Sequence, residues 1–165
     1  MRSRVTLFGH SIHQMLIVFP LGLLGVSVAF DIAYLATDNA VFAETAYWNI
    51  LAGCIGGLAA AVFGIWDWLA IPARTRAKRV GAVHGVVNAT AIVLFIASFW
   101  IRRGDLLHLP TTGSLALSFV AIALALVGGW LGGELVERLG IAVSPDAGPN
   151  ATSSLREPHL PSTSS

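Results

Sequence analysis

Four long apolar blocks, separated by short polar segments, dominate this sequence. Each block is close to the ~20 apolar residues that a helix needs to cross a bilayer. A segment inside lipid must satisfy its backbone hydrogen bonds internally, so each block should be helical. The pattern therefore predicts four transmembrane helices, over residues 12–36, 48–71, 82–101 and 115–136.

The connections between these blocks are short, and short connections make consecutive helices antiparallel neighbours. The expected fold class is an all-α integral membrane protein, with a four-helix up-down-up-down bundle in residues 1–143. From residue 144 to residue 165 the composition changes to Ser, Pro, Thr and Asn. Such a segment has too little apolar surface to offset the entropy of ordering. This C-terminal tail is therefore predicted to be disordered.

Basic residues near the helix ends are distributed unevenly and predict the orientation. One side has only Arg102 and Arg103, whereas the other side has Arg2, Arg4, Arg74, Arg76, Lys78, Arg79 and Arg138. Loops rich in Lys and Arg stay in the cytoplasm. Both termini are therefore expected in the cytoplasm, with the chain crossing a bacterial inner membrane several times.

Composition supports lipid as the surroundings of this chain. Hydrophobic residues make up 55% and charged residues 12% of the sequence, against about 25% charged in a typical soluble domain. The net charge of +1 comes with no basic face, so a nucleic-acid partner is not expected. Cys54 is the only cysteine, which excludes an intramolecular disulfide and argues against a cysteine-based metal site.

Glycines spaced four residues apart occur in the second and fourth predicted helices. The pairs are Gly53–Gly57, Gly128–Gly132 and Gly129–Gly133. This spacing lets transmembrane helices approach closely, either within one bundle or in a homo- or hetero-oligomer. The alternative is that the glycines leave room for a flat cofactor.

Ionisable and amide side chains gather at the cytoplasmic ends of all four predicted helices. Such groups are costly inside a membrane and usually mark a site or a pair. They are His10 and His13 in the first helix, Asp67 in the second, His84 and Asn88 in the third, and Glu134 in the fourth. If the bundle closes, these side chains approach one another.

His13 and His84 form the best-opposed pair in this cluster. His10 and His13 are three residues apart and can share a helical face, so which of the two faces inward stays open. Two neutral imidazoles facing each other across a bundle can hold a haem iron. The sequence therefore offers haem b as a candidate cofactor, with His13 (or His10) and His84 as axial ligands. The alternative is that His10, His13, Asp67, His84 and Glu134 handle protons or a metal ion, and the sequence does not define such a metal site.

A structural role accounts equally well for each of these residues taken singly. His10 can lie at the level of the lipid headgroups. His84 can donate a hydrogen bond to Asp67 or to a backbone carbonyl. Asp67 can pair with the basic loop after the second helix, and Glu134 with Arg138, one turn further on.

Asp31 stands apart, in the outer third of the first helix. It follows His13 by 18 residues, which is five full turns, so the two share a face. A proton path would run along such a face, but a hydrogen-bonded carboxyl in the core would give the same pattern. His108 in the outer loop and His159 in the tail have no partner at ligand spacing.

Several short stretches of the chain form a recognisable combination. They are GHSIHQML at residues 9–16 followed by FPLGL at 19–23, GIWDW at 64–68, His84-Gly85 with Asn88, and GWLGGELV at 129–136. Together they resemble the bacterial membrane-protein family called domain of unknown function 2231, over residues 7–143. The family typically has Pro where this chain has Ser11. The resemblance implies a four-helix membrane domain without an established activity. It also implies a Rieske or c-type cytochrome redox partner, because related chains are joined to such domains.

Three functions remain open at this point: a b-type haem electron carrier, a non-catalytic membrane scaffold or accessory subunit, and a protein that handles protons or metal ions. Transporters commonly show internal repeats and broken helices. Here only Pro20 suggests a kink and no repeat is evident, so ion handling ranks below the haem carrier. No serine, cysteine or threonine has a base and an orienting acid beside it, so a hydrolytic or transferase activity is not expected.

Overall fold

The computed structural model describes residues 1–156 and contains four helices long and apolar enough to span a membrane. They are helix I (Ile12–Thr37), helix II (Ala40–Ala70), helix III (Arg76–Arg102) and helix IV (Thr112–Arg138). Helix I is interrupted at Ile17, and helix IV ends in a π-helical turn, Glu134–Arg138. The predicted all-α membrane fold is confirmed.

Helices II and III begin earlier than the apolar pattern predicts, at Ala40 and Arg76. Each start is fixed by a polar cap. The Asn39 side chain accepts a hydrogen bond from the Val41 N–H at 3.0 Å, and Thr75 accepts one from the Lys78 N–H at 3.1 Å. The apolar block therefore marks only part of the length of each helix. The first turns, which begin at the polar caps, precede that block.

Helix I packs against helix II, and helix III packs against helix IV. Helices II and III are also neighbours, whereas helices I and III face each other diagonally across the bundle. The central part of the core between the four helices is apolar. Its buried cluster consists of Leu24, Val28, Ile50, Cys54, Phe95 and Ala121.

The two helix hairpins bury equivalent faces, which reveals an internal repeat that the sequence pattern does not. Adding 71 to the buried positions Leu24, Ser27 and Asp31 of helix I gives Phe95, Ser98 and Arg102, all buried in helix III. Adding 68 to Ala46, Ile50, Gly53, Ala60 and Asp67 of helix II gives Ser114, Ser118, Ala121, Gly128 and Leu135, all buried in helix IV. The sequence pattern alone did not indicate this correspondence.

A short β-hairpin precedes helix I and covers its end of the bundle. Strand β1 (Thr6–Leu7) pairs antiparallel with β2 (His10–Ser11). Phe8 and Gly9 form the turn with φ of 51° and 82°, as a two-residue hairpin turn requires.

The segment after helix IV returns to the same end of the bundle. The N-terminal ammonium group donates to the Gly140 carbonyl at 2.6 Å. Residues 139–156 contain turns but no helix or strand. The predicted disorder of residues 144–165 stays a prediction, and residues 157–165, including His159, lie outside the described part of the chain.

Candidate functional site

His13 of helix I and His84 of helix III face each other across the diagonal of the bundle. Their ring centroids are 6.4 Å apart and the ring planes are nearly perpendicular, at 81°. His10 lies in strand β2 and is exposed, with its Nδ1 3.1 Å from the carbonyl oxygen of Phe8. The histidine that faces inward is therefore His13. We call this end of the bundle the histidine end.

Both rings are held in the same way by the neighbouring helix of their own hairpin. His13 Nδ1 donates to the Ala60 carbonyl at 2.8 Å, and His84 Nδ1 donates to the Gly128 carbonyl at 2.9 Å. A carbonyl oxygen can only accept, so the ring proton is on Nδ1 in each case. Within residues 1–156, neither Nε2 makes a hydrogen bond, which leaves its lone pair available.

Each imidazole ring packs against a glycine of the neighbouring helix, where the missing side chain leaves space for it. A Cβ on Gly64 would lie 2.9 Å from His13 Cε1, and a Cβ on Gly132 would lie 3.3 Å from His84 Cε1. Each glycine follows the carbonyl-donating residue by four positions, one helical turn. The two hairpins therefore contribute equivalent histidine sites, related by the internal repeat.

Asn88 supports His84 rather than extending the site. Its side-chain amide donates to the His84 carbonyl at 2.8 Å, one turn back along helix III. The same amide fills the space above Gly128, where a Cβ would lie 2.5 Å from the Asn88 Oδ1 and Nδ2 atoms. Asn88 thus fixes the close contact between helices III and IV beside His84.

Asp67 joins the N-terminal segment to the bundle instead of pairing with the basic loop. Its Oδ1 accepts from the Arg4 backbone N–H at 2.9 Å, and both carboxylate oxygens lie 2.7 Å from Ser3 Oγ. Ser11 Oγ donates more weakly, at 3.4 Å. The expected pairing with Arg74 or Arg76 was wrong, because Asp67 is buried under the N-terminal segment.

Glu134 pairs with Arg76 of helix III, at 2.5 Å, and not with Arg138. The π-helical turn at Glu134–Arg138 changes the residue spacing from that of an α-helix. Glu134 therefore ties helix IV to helix III at the surface of the histidine end. No hydrogen bond joins it to either histidine among the described residues.

Asp31 and Arg102 meet at the opposite end of the bundle, which we call the ion-pair end. Arg102 NH1 and NH2 donate to Asp31 Oδ1 and Oδ2 at 2.6 and 2.7 Å. Both side chains are completely buried, and helix III includes Arg102, so the expectation that this helix ends at residue 101 with Arg102 beyond it was wrong. A carboxylate partner within the bundle makes burial of this guanidinium tolerable.

The face between His13 and Asp31 is closed by apolar side chains. Leu24 and Val28 of helix I are buried there in the main core. Ser27 is also buried, but its hydroxyl donates to the carbonyl of Leu24 in its own helix, at 2.7 Å. This arrangement does not provide the polar chain that a proton path along helix I would need.

His108 lies in the loop after helix III and belongs to an aromatic stack. Its ring lies 3.9 Å from that of Tyr47, which in turn stacks on Phe99 at 4.4 Å, both measured between centroids. His108 Nδ1 is buried without a hydrogen-bond partner among residues 1–156. The sequence pattern missed this stack because Tyr47 and His108 lie in different segments.

Arg102 and its serine neighbours are the main residues that sequence reasoning missed. Ser98 Oγ accepts from Arg102 Nε, and Ser118 Oγ accepts from Arg102 NH2, each at 3.2 Å. One signal was present: Arg102 follows His84 by the same 18 residues that separate Asp31 from His13. Equal spacing on two parallel helices brings both pairs face to face.

These features define a class of protein: a four-helix membrane bundle of two similar hairpins, with a histidine pair at one end and an enclosed ion pair at the other. The family model described as "Predicted membrane protein (DUF2231)" matches residues 9–145, and the chain belongs to this family. The resemblance inferred from the sequence is thereby confirmed. No curated protein and no solved structure matches the chain.

Proposed function

We propose that this protein is a one-haem, b-type electron carrier, with His13 and His84 as the axial ligands. The observation that carries the proposal is the equivalent presentation of two opposed imidazoles. Each uses Nδ1–H on a backbone carbonyl and keeps Nε2 free of hydrogen bonds. Metal-binding histidines typically have this second hydrogen bond, which fixes the tautomer and the ring orientation.

The separation of the rings fits ligation of one metal ion between them. An imidazole nitrogen binds a metal at about 2.0–2.1 Å and lies about 1.1 Å from its ring centroid, so two rings on opposite sides of one ion have centroids about 6.3 Å apart. The centroids of His13 and His84 are 6.4 Å apart. This agreement supports the proposal, which requires that both Nε2 atoms point toward the same ion.

The number of protein ligands favours haem over a bare metal ion. Residues 1–156 contain no group of three or more His, Cys, Asp or Glu side chains that could hold a metal. Structural zinc sites typically use four protein ligands. A porphyrin supplies its own equatorial nitrogens, so two histidines are enough.

The chain's own residues would hold and tune such a group. Ala60 and Gly128 fix the two imidazoles through their carbonyls, and the apolar bundle provides a low-dielectric environment. Haem in such a site supplies one-electron transfer, with a potential set by its ligands and burial. A Rieske or c-type cytochrome domain is the partner that this function calls for, in or on a bacterial inner membrane.

The test is an absorption spectrum of the detergent-purified protein, oxidised and dithionite-reduced, from cells supplied with a haem precursor. We expect reduced-minus-oxidised b-type bands at about one haem per chain. His13→Ala and His84→Ala should each abolish them, while the matched controls His10→Ala and His108→Ala should keep them. Because the rings are perpendicular, the oxidised protein should also give a strongly anisotropic low-spin electron paramagnetic resonance signal.

A folded wild-type protein with a featureless spectrum would exclude the haem carrier. The scaffold or accessory role would then be the better proposal, since it needs no cofactor. Haem retained in His84→Ala would instead reject the ligand assignment while leaving haem binding in place.

A further inference from the structure

A small groove opens on the membrane-facing surface of the histidine end. Its volume is about 220 Å³, and it is lined by Arg4, Val5, Trp66 and Leu69. Trp66 and Leu69 are 51% and 56% exposed in the last two turns of helix II, which ends at Ala70. The groove therefore lies where the apolar span meets the headgroup region.

Among the described residues that line this groove, Arg4 carries the only charge. The Arg4 side chain makes no hydrogen bond, ion pair or ring contact with any other residue in 1–156. Its backbone, in contrast, is fixed, because the Arg4 N–H donates to Asp67 at 2.9 Å and the adjacent Ser3 hydroxyl binds the same carboxylate. A free guanidinium is thus carried on an anchored backbone beside an exposed indole.

We propose that this groove binds an anionic phospholipid, with Arg4 on the phosphate and Trp66 and Leu69 along the glycerol and upper acyl chain. A guanidinium presents a planar fork of donors that matches phosphate oxygens. Indole side chains favour the headgroup level, where an apolar ring and a polar N–H are both accommodated. Val5, Trp66 and Leu69 make the rest of the lining apolar, and an acyl chain can pack against these side chains. A lipid is therefore a better occupant than a free phosphate ion.

Asp67 has the role of a positioning residue for this site. Its carboxylate is buried and accepts hydrogen bonds from the Ser3 hydroxyl and the Arg4 backbone N–H. It therefore holds the N-terminal segment against helix II without neutralising the Arg4 guanidinium. The equivalent position in the other hairpin is Leu135, whose side chain cannot accept a hydrogen bond. The repeat therefore predicts one such lipid site per chain, beside helix II only.

The test is a lipid competition measured by native mass spectrometry. The full-length protein is exposed in detergent to equimolar dioleoyl-phosphatidylglycerol and dioleoyl-phosphatidylcholine, and the ratio of the two single-lipid adducts is recorded. We expect the wild type to prefer phosphatidylglycerol and Arg4→Gln to lower the ratio about fivefold, the effect of about 1 kcal/mol per basic residue at an anionic surface. The matched control is Arg74→Gln, an exposed arginine in the loop at the same end, which should keep the wild-type ratio.

Two results would overturn the proposal. The first is an Arg4→Gln variant that melts like the wild type and keeps the same adduct ratio. The second is loss of the phosphatidylglycerol adduct on adding millimolar inorganic phosphate, which would make the groove a site for a free anion. Neither result depends on whether the histidine pair binds haem.

Discussion

Asp31 and Arg102 occupy equivalent positions in the two hairpins and form a bidentate ion pair across the diagonal of the bundle. Both side chains are 0% exposed. Residues related by a two-fold repeat meet near its axis, where two identical charges would repel. Opposite charges at these positions attract, and Ser98 and Ser118 satisfy further donors of the guanidinium. The pair thus ties helices I, III and IV together at the ion-pair end.

Removal of one partner of this pair should be strongly destabilising. Arg102→Leu leaves the Asp31 carboxylate buried without a counter-charge, which costs about 3–5 kcal/mol for a buried pair in general. The free energy of unfolding in detergent, measured by thermal or denaturant titration, should fall by that amount. The double variant Asp31→Leu/Arg102→Leu should recover most of the loss, since no unpaired charge remains. An equal loss of unfolding free energy in the single and double variants would show that an unpaired buried charge is not the cause of the destabilisation.

Glycines that contact the histidine rings should tolerate alanine less well than glycines that face open space. Gly64→Ala should destabilise by about 1–3 kcal/mol, because its Cβ would lie 2.9 Å from His13 Cε1. Gly132→Ala should cost less, since its contact would be 3.3 Å. Gly129→Ala is the control, because nothing lies within 4 Å of its Cβ, and it should be neutral or slightly stabilising. Melting temperatures of the three variants give the ranking, and a Gly129 variant as unstable as the Gly64 variant would contradict it.

Loss of the Asp67 carboxylate should release the N-terminal segment while leaving the bundle folded. In Asp67→Ala, the Ser3 hydroxyl and the Arg4 N–H lose their acceptor, at a cost of about 1–3 kcal/mol for groups left unsatisfied. Hydrogen–deuterium exchange should accelerate by about 5- to 150-fold over residues 3–7. Glu134→Gln serves as the control, because it breaks a partly exposed ion pair with Arg76 at the same end. Unchanged exchange over residues 3–7 in Asp67→Ala would mean that other contacts hold the segment.

Reporter fusions should test the orientation inferred from the basic residues. Green fluorescent protein fused after residue 143 should fluoresce and alkaline phosphatase at the same position should be inactive, because the C-terminal end is expected in the cytoplasm. Fusions in the loop after Arg103 should behave in the opposite way. The burial of Arg102 leaves Arg103 as the basic residue of that loop, which strengthens the charge bias. Active phosphatase after residue 143 would reverse the assignment.

Much of the candidate site was predictable because burial of polar groups in a membrane is costly wherever it occurs. His13, Asp67, His84 and Asn88 were each conspicuous as polar residues at the end of an apolar block. Their partners were not predictable. Asp67 binds Ser3 and the Arg4 backbone, which are far away in the chain and carry no distinctive pattern. Hydrogen bonds to the Ala60 and Gly128 carbonyls leave no trace in the sequence at all, since every residue has a carbonyl.

The sequence by itself determined the number of spanning helices, their approximate extent and the family, because lipid demands long apolar helices whatever their neighbours are. Only the tertiary structure decided which side chains meet. Arg102 was assigned to a loop from its charge, yet a carboxylate on a diagonal helix allows it to be buried. The correspondence between the two hairpins also became visible only in the structure, where His13 and His84 bind equivalent carbonyls. Which charges and rings pair depends on the rotation and register of the helices, and these are set by contacts between residues about 70 positions apart.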